Sequence, residues 1–376
     1  MSFAILALIS IAAVLGPLVA LRRNWRLPVV LGELLAGMAL GTSGVGLLDP
    51  RDPTFAFLAD IGFALVMFVA GSHVPVRELR LHGTLRVGLM RAAAVGALAV
   101  VAAYVVARSF GTGHAGLYAV LMASSSAAFV LPVVSDLKLC GTPVLQMLPQ
   151  VAVADTACIV LLPLAVDPAQ AGSAGLGLVV VSGCATALYL ILRRLEESGL
   201  RARAHRVSQE RKFAIELRTS LAILFTLAAL AVHAHVSVML AGFAFGLVVA
   251  AIGEPRRLAR QLFAVADGFL GPLFFVWLGA SIGMGDLLRH PSMILLGVAL
   301  GAGAAATHLA MRTLGQPVAF AGLAAAQLGV PMAAATIGEQ RHLLCAGEPA
   351  ALLLAAVITI AVALVCARSA VRAGFA

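Results

Sequence analysis

The chain has 376 residues, of which 61% are hydrophobic and 11% charged, with a formal net charge of +9. A soluble domain carries about 25% charged residues, so this composition excludes one and describes a protein whose solvent is largely lipid. The surplus of Lys and Arg lies between apolar runs, where it orients a membrane protein, and not in the patches of a nucleic-acid binder.

Apolar runs long enough to cross a hydrocarbon core of about 30 Å recur along the whole sequence. They predict an all-α membrane protein of about thirteen transmembrane helices, centred near residues 12, 35, 64, 97, 126, 155, 182, 222, 244, 273, 303, 328 and 359. The first run, MSFAILALISIAAVLGPLVALRR, lacks a basic leader and a small-residue cleavage site. It reads as a retained span and not as a signal peptide. Glu33 falls near one end of the second span, where it faces water or pairs with Arg26. Asp60, in the third, and Asp267, in the tenth, are either interfacial or line a cavity. Arg91 lies about a turn and a half inside the fourth and is expected to snorkel to the nearer surface.

The fifth span, AVLMASSSAAFVLPVVSDL, is interrupted by Ser124, Ser125 and Ser126, followed by Pro132. The sixth carries Asp155 near its centre, in VAVADTACIVLLPLA, with no basic residue nearby in sequence. An ionised carboxylate there costs about 2.5–3.5 kcal/mol on insertion scales, so the group either holds a proton or needs a cation beside it. Proton and cation then compete for one place, which is the physical basis of coupling. The alternative is a neutral structural Asp bonded to a neighbouring helix. After the seventh span comes a charged stretch, residues 193–218, read as an amphipathic linker. His308, in the eleventh, is either a core hydrogen bonder or the cationic partner of Asp155. The twelfth, FAGLAAAQLGVPMAAATIG, sets Gln327, Gly329 and Pro331 mid-membrane, where Pro removes a helix hydrogen bond and Gly weakens the helix. The five cysteines are scattered, with no metal-ligand spacing and no readable disulfide framework.

With thirteen crossings, the basic loops fall on one side and only Arg51, Arg108, Arg289 and Arg341 on the other. That bias predicts the N-terminus outside and the C-terminus in the cytoplasm. The halves also resemble each other. Residues 34–41 (LLAGMALG) align with 239–246 (MLAGFAFG). Ala59 and Asp60, with Phe68 and Val69 behind them, align with Ala266, Asp267, Phe275 and Val276. The offset, about 205 residues, is seven spans, and an odd number inverts the second copy. The expected layout is one transmembrane domain: repeat 1 over about 1–166, a connector over about 172–194 and repeat 2 over about 211–370. No soluble domain is expected after the last span. Inverted repeats with broken helices at matched positions point to alternating access at the midplane. Taken singly, each break reads as an ordinary kink repaired by its neighbours; the matched pair favours the site. The spacings Gly37/Gly41, Gly242/Gly246 and Gly297/Gly301 read as close helix packing.

These segments together resemble the monovalent cation:proton antiporter family, in its thirteen-span branch. The resemblance rests on LPVVLGELLAGMALGTSGVGLL at 27–48, LADIGFALVMFVAG at 58–71, SSSAAFVLPVVSDLKLCGT at 124–142, Asp155 on the next span, and FFVWLGASI after Ala266. It implies a core domain of spans 4–6 and 11–13, in which two broken helices cross beside the ion-binding carboxylate. It also implies a dimerisation domain of the remaining spans, a homodimer, and elevator motion between the two domains. Asp155 matches the family's ion-binding aspartate, and Ser124, Ser125 and Ser126 match its neighbouring ligands. Gln327 and His308 complete the expected ion and proton site.

The chain departs from the family pattern at Ala154, where an acid or amide is usual before the aspartate. It departs again at Val330, which stands where a glutamate is usual, and at Thr307 and His308, where a Lys or Arg is usual. Ser72 and His73 follow a position after which the family often has an acid. The implied activity is exchange of Na⁺ or K⁺ for protons across a bacterial inner membrane, with no enzyme chemistry, no cofactor and no metal beyond the transported cation. The competing readings are a proton-coupled carrier of another solute and a transport-inactive membrane sensor or scaffold.

Overall fold

The computed structural model describes residues 1–20, 29–72, 82–166, 171–198, 215–234, 238–253, 262–281, 289–340 and 343–375. Arg22, Arg23, Arg26, His73 and most of the 193–218 linker lie outside the described residues.

Every regular element among them is helical. The chain runs α1 (Phe3–Ala20), α2 (Val29–Leu40), α3 (Pro53–Ser72), α4 (His82–Phe110), α5 (Ala115–Ala123), α6 (Ala127–Asp136) and α7 (Thr142–Val166). It continues with α8 (Ala171–Glu197), α9 (Ile215–His233) and α10 (Val238–Ile252). A π turn (Ala266–Leu270) then leads into α11 (Gly271–Ser281). The remainder is α12 (Pro291–Leu309) with a terminal 3-10 turn (Ala310–Leu314), α13 (Val318–Ala324), α14 (Gly329–Gln340) and α15 (Glu348–Arg372). Among the described residues nine helical stretches are long and apolar enough to cross a membrane, and three shorter apolar ones accompany them. Large side chains such as Val101 and Tyr104 on α4 and Leu176 and Val179 on α8 are exposed. In a membrane protein they face lipid.

The helices pack in two groups. In one, α1, α2, α3, α8, α9, α10 and α11 contact one another; in the other, α4 to α7 pack with α12 to α15. The groups meet through α3 on α6, α8 on α7 and α10 on α7.

Small residues set the closest approaches, as the glycine spacing predicts. A Cβ on Gly37 would drive into the backbone carbonyl of Val276, and one on Gly242 into that of Ala64. So α2 lies backbone to backbone on α11, and α10 does the same on α3. Van der Waals contact of this kind holds helices together where lipid offers no hydrophobic drive. Gly297 and Gly301 bring α12 onto α15 less tightly, against the Ala351 carbonyl and the Leu354 and Ile358 side chains.

At the head of α15, the fully buried Glu348 collects three partners. Its Oε1 bonds His114 Nδ1 at 2.7 Å and accepts from the Tyr118 hydroxyl at 2.6 Å. Its Oε2 accepts from the Cys345 amide at 2.8 Å. This cluster pins the start of α5 to the start of α15 and so fixes the height of the first broken helix.

Two outer expectations meet the structure differently. Arg91 does not snorkel. It is 2% exposed, and its Nη2 donates to Leu314 O at 3.2 Å, at the end of the 3-10 turn. Open carbonyls at a helix end attract a cation. Glu33 is likewise buried, and Gly16 of α1 approaches its side chain. Asp60 and Asp267 are exposed.

Candidate functional site

Two helix breaks lie side by side in the second packing group. The first is the serine triplet. Ser124, φ −71° and ψ 148°, closes α5, and Ser126, φ −117° and ψ 104°, precedes α6. Serine hydroxyls compete for backbone groups, which is why this triplet ends a helix that its apolar neighbours would continue. Pro132 sits within α6, downstream of the break, and does not make it. The second break spans residues 325–328, between Ala324 and Gly329. Pro331 falls in the first turn of α14, where its missing N–H is no loss.

Each break is stitched to the other. The Ser125 hydroxyl donates to Ala324 O, the last helical carbonyl of α13. In return, Gln327 Nε2 donates to Leu121 O, a terminal carbonyl of α5. Helix ends leave such carbonyls open, so each broken helix supplies the cap for its counterpart. Ser124 Oγ adds a local bond to Leu121 O at 2.8 Å. Thr359 of α15 accepts the Gln327 amide at 3.2 Å and anchors its own hydroxyl on Ala356 O at 2.8 Å. Thr359 carries no signal in the sequence, being a lone threonine in an apolar helix.

Asp155 stands on α7 beside the first break. Its Oδ2 accepts the Ala127 N–H at 2.8 Å, the first amide of α6, so the carboxylate sits on a helix N-terminus. That end carries a partial positive charge and open N–H groups. The side chain is 3% exposed. Ser124, Ser125, Ser126 and Gln327 are buried as deeply, and Gln327 Oε1 has no hydrogen-bond partner among the described residues. A buried carbonyl oxygen without a donor is a ready ligand for a dehydrated cation.

His308 is drawn into this network, but not onto Asp155. Its Nδ1 lies 2.9 Å from Ala304 O, one turn back on α12, and its Nε2 lies 3.5 Å from Ser125 Oγ. It buttresses the crossing from the α12 side. Thr307 likewise bonds back to Ala304 O. The Ser126 hydroxyl makes no cap bond to α6, and Ala127 gives its amide to Asp155 instead.

Above the second break, the first packing group supplies a lid of soft side chains. The Gly329 Cα faces Met239 Sδ of α10 and Met67 and Phe63 of α3. The sequence holds them only as unremarkable apolar residues.

The chain as a whole is similar to known proteins. The sodium/hydrogen exchanger transmembrane family matches residues 9–369. A putative Na⁺/H⁺ antiporter, YjbQ, from Bacillus subtilis is 24% identical over 95% of this chain, which spans 61% of that relative's length. A probable Na⁺/H⁺ antiporter 3 from Methanocaldococcus jannaschii is 25% identical over 74% of this chain and 72% of its own. Two structures of the sodium proton antiporter MjNhaP1 from the same archaeon superpose with TM-scores of 0.62 and 0.69 at 16% and 14% identity. They cover 97% and 100% of this chain and 96% and 97% of theirs. The fold is therefore that of MjNhaP1, and the chain is an integral membrane protein belonging to the sodium/hydrogen exchanger family of monovalent cation:proton antiporters.

Proposed function

We propose that the protein exchanges a monovalent cation, Na⁺ or K⁺, for protons by alternating access at Asp155. The observation that carries the reading is the buried carboxylate on the N-terminus of α6, next to the two mutually capped breaks. The Ala127 amide holds Oδ2, so Oδ1 is the oxygen left for cargo. A proton there gives a neutral site that can cross the membrane. A cation there gives an equally neutral ion pair, with the open carbonyl of Gln327 and the serine hydroxyls replacing its lost water. An empty carboxylate is the one state penalised by burial. Exchange follows because only loaded sites move.

Among the described residues at the crossing Asp155 is the sole acid: Ala154 precedes it and Val330 sits in the first turn of α14. One carboxylate holds one proton or one monovalent cation, so the exchange moves no net charge. A divalent ion would leave an uncompensated positive charge in a buried site and is disfavoured.

The core of α4 to α7 and α12 to α15 travels against the other group as an elevator. The sparse seam between the groups and the soft Met67, Met239 and Phe63 lid support that motion. In the membrane of a bacterial cell the N-terminus is outside, the two repeats are inverted, and two copies associate through the first group.

The test is reconstitution into proteoliposomes carrying a pH dye, with Na⁺, K⁺ and Li⁺ offered in turn. The wild type dissipates a preset proton gradient on addition of its cation, with no dependence on a potassium-valinomycin potential. Asp155→Asn falls to the level of empty vesicles. Unchanged exchange in that variant sinks the proposal.

A further inference from the structure

Away from the crossing, where α4, α7 and the connection from α12 to α13 meet, a second set of polar groups is buried without enough partners. Arg91 bonds Leu314 O through Nη2, while its Nε and Nη1 find no acceptor among the described residues. Two residues beyond Leu314, Gln316 donates Nε2 to Gln150 Oε1 of α7 at 2.9 Å. That leaves Gln150 Nε2 and Gln316 Oε1 unclaimed. Gly88, one turn before Arg91 on α4, packs on the backbone of Pro149 and Gln150, which brings Arg91 into the same corner. All three side chains are at most 2% exposed.

The balance of these groups identifies what fits. Three unclaimed sites donate and one accepts. Exchanging N and O in both amides leaves the same count. The guanidinium is charged at every relevant pH, and among the described residues no carboxylate on these elements neutralises it. α4, α7, α12, the 3-10 turn and α13 contain one acid among them, Asp155, and it is bonded to Ala127. The flanking charges, Arg86 on α4 and Arg312 on the 3-10 turn, are both positive and exposed. A cation is repelled here, and a neutral guest leaves the guanidinium uncompensated.

We propose that Arg91, Gln150 and Gln316 form a binding site for a singly charged anion, which Arg91 neutralises and the Gln150 amide orients. The bound anion ties α4 to α7 and to the α12–α13 connection, and so sets how firmly the hinge into the second broken helix is held. Two sources carry this chemistry: a halide from solution, or the phosphodiester of an acidic lipid reaching in beside the lipid-facing Leu89 and Met90.

Unfolding temperature reads this site without reference to transport. The purified chain is placed in phosphatidylcholine nanodiscs, and chloride is titrated against gluconate. In parallel, phosphatidylglycerol replaces phosphatidylcholine at low chloride. The wild type gains a saturable stabilisation of about 5 °C in the first arm if the anion is a halide and in the second if it is a lipid. Gln316→Glu installs a built-in anion, to which the Gln150 amide can turn its NH₂. That variant starts at the higher temperature and responds to neither arm. Gln150→Leu removes one donor and moves the midpoint of the wild-type response to higher concentration, which decides the case should Gln316→Glu fail to fold. A wild type indifferent to both arms overturns the site, as does a response that survives unchanged in these variants.

Discussion

Asp155 and the crossing beside it are held by hydrogen bonds from neutral groups. The Ala127 amide takes one carboxylate oxygen, Ser125 and Gln327 take the open carbonyls, and Thr359 takes the Gln327 amide. Positions where the family pattern carries extra charge are Ala154, Val330 and the Thr307–His308 pair. Ser125→Ala leaves Ala324 O without its donor, whereas Gln327→Leu takes one of three donors from Leu121 O, which keeps the Ser124 hydroxyl and amide. The first is expected to lower stability by about 1–3 kcal/mol, the cost of a buried group left unpaired, and the second by about 0.5–1.5 kcal/mol, the worth of one hydrogen bond. Because the two bonds share one crossing, the double variant loses less than the sum. Thermal unfolding of the purified variants measures both. Asp155 could be read from the sequence because an acid in mid-span is costly by itself. The part played by His308 could not: whether it faces Asp155 or Ser125 depends on the rotation of α12, which one sequence leaves open.

The helix breaks show what local chemistry carries and what it omits. Three consecutive serines were enough to mark the first break, and Gln-Leu-Gly-Val-Pro the second, since those residues oppose a continuous helix whatever surrounds them. The position of Pro132 was misleading, because a proline inside α6 does not by itself end it. The glycines act at the same scale. Gly242 lets α10 rest on the Ala64 carbonyl, and no side chain fits between. Gly242→Val is therefore expected to forfeit folded, monodisperse protein or to lower its stability by about 3 kcal/mol or more. Gly83→Ala on α4, where nothing lies within 4 Å, stays within about 0.5 kcal/mol of the wild type or gains slightly. Size-exclusion profiles and unfolding curves of the two variants make the comparison. The serine, glycine and proline patterns are local and so were legible; which helix each glycine faces is a tertiary fact and was not.

For the whole molecule, the division into two packing groups followed from the resemblance, while periodicity alone gave only a row of apolar helices. The burial of Arg91 escaped sequence reasoning, since its partner Leu314 lies 223 residues away. The proposed orientation has a direct check in two exposed free cysteines. Cys140 lies between α6 and α7, and Cys345 between α14 and α15. With the N-terminus outside, they fall on opposite faces. A membrane-impermeant maleimide added to intact cells labels Cys345 alone, and Cys140 reacts only after permeabilisation. Partial burial, with Glu348 alongside, pushes the Cys345 thiol up from its ordinary value. The thiolate is the reactive form, so its labelling is slow near neutral pH and quickens as the pH rises. Labelling of Cys140 alone in intact cells reverses the orientation.

The reciprocal capping of the two breaks also sets a timetable for biosynthesis. Ser125 and Ala324 are 199 residues apart, and Leu121 and Gln327 are 206. A ribosome takes about ten to forty seconds to cover that distance. For that interval the first broken helix exists in the nascent chain without the cap its counterpart will bring. Ser124 is made with it, and its hydroxyl and amide both reach Leu121 O, at 2.8 and 3.1 Å. It can satisfy the carbonyl before residue 327 has been synthesised, and in the folded chain it shares that carbonyl with Gln327.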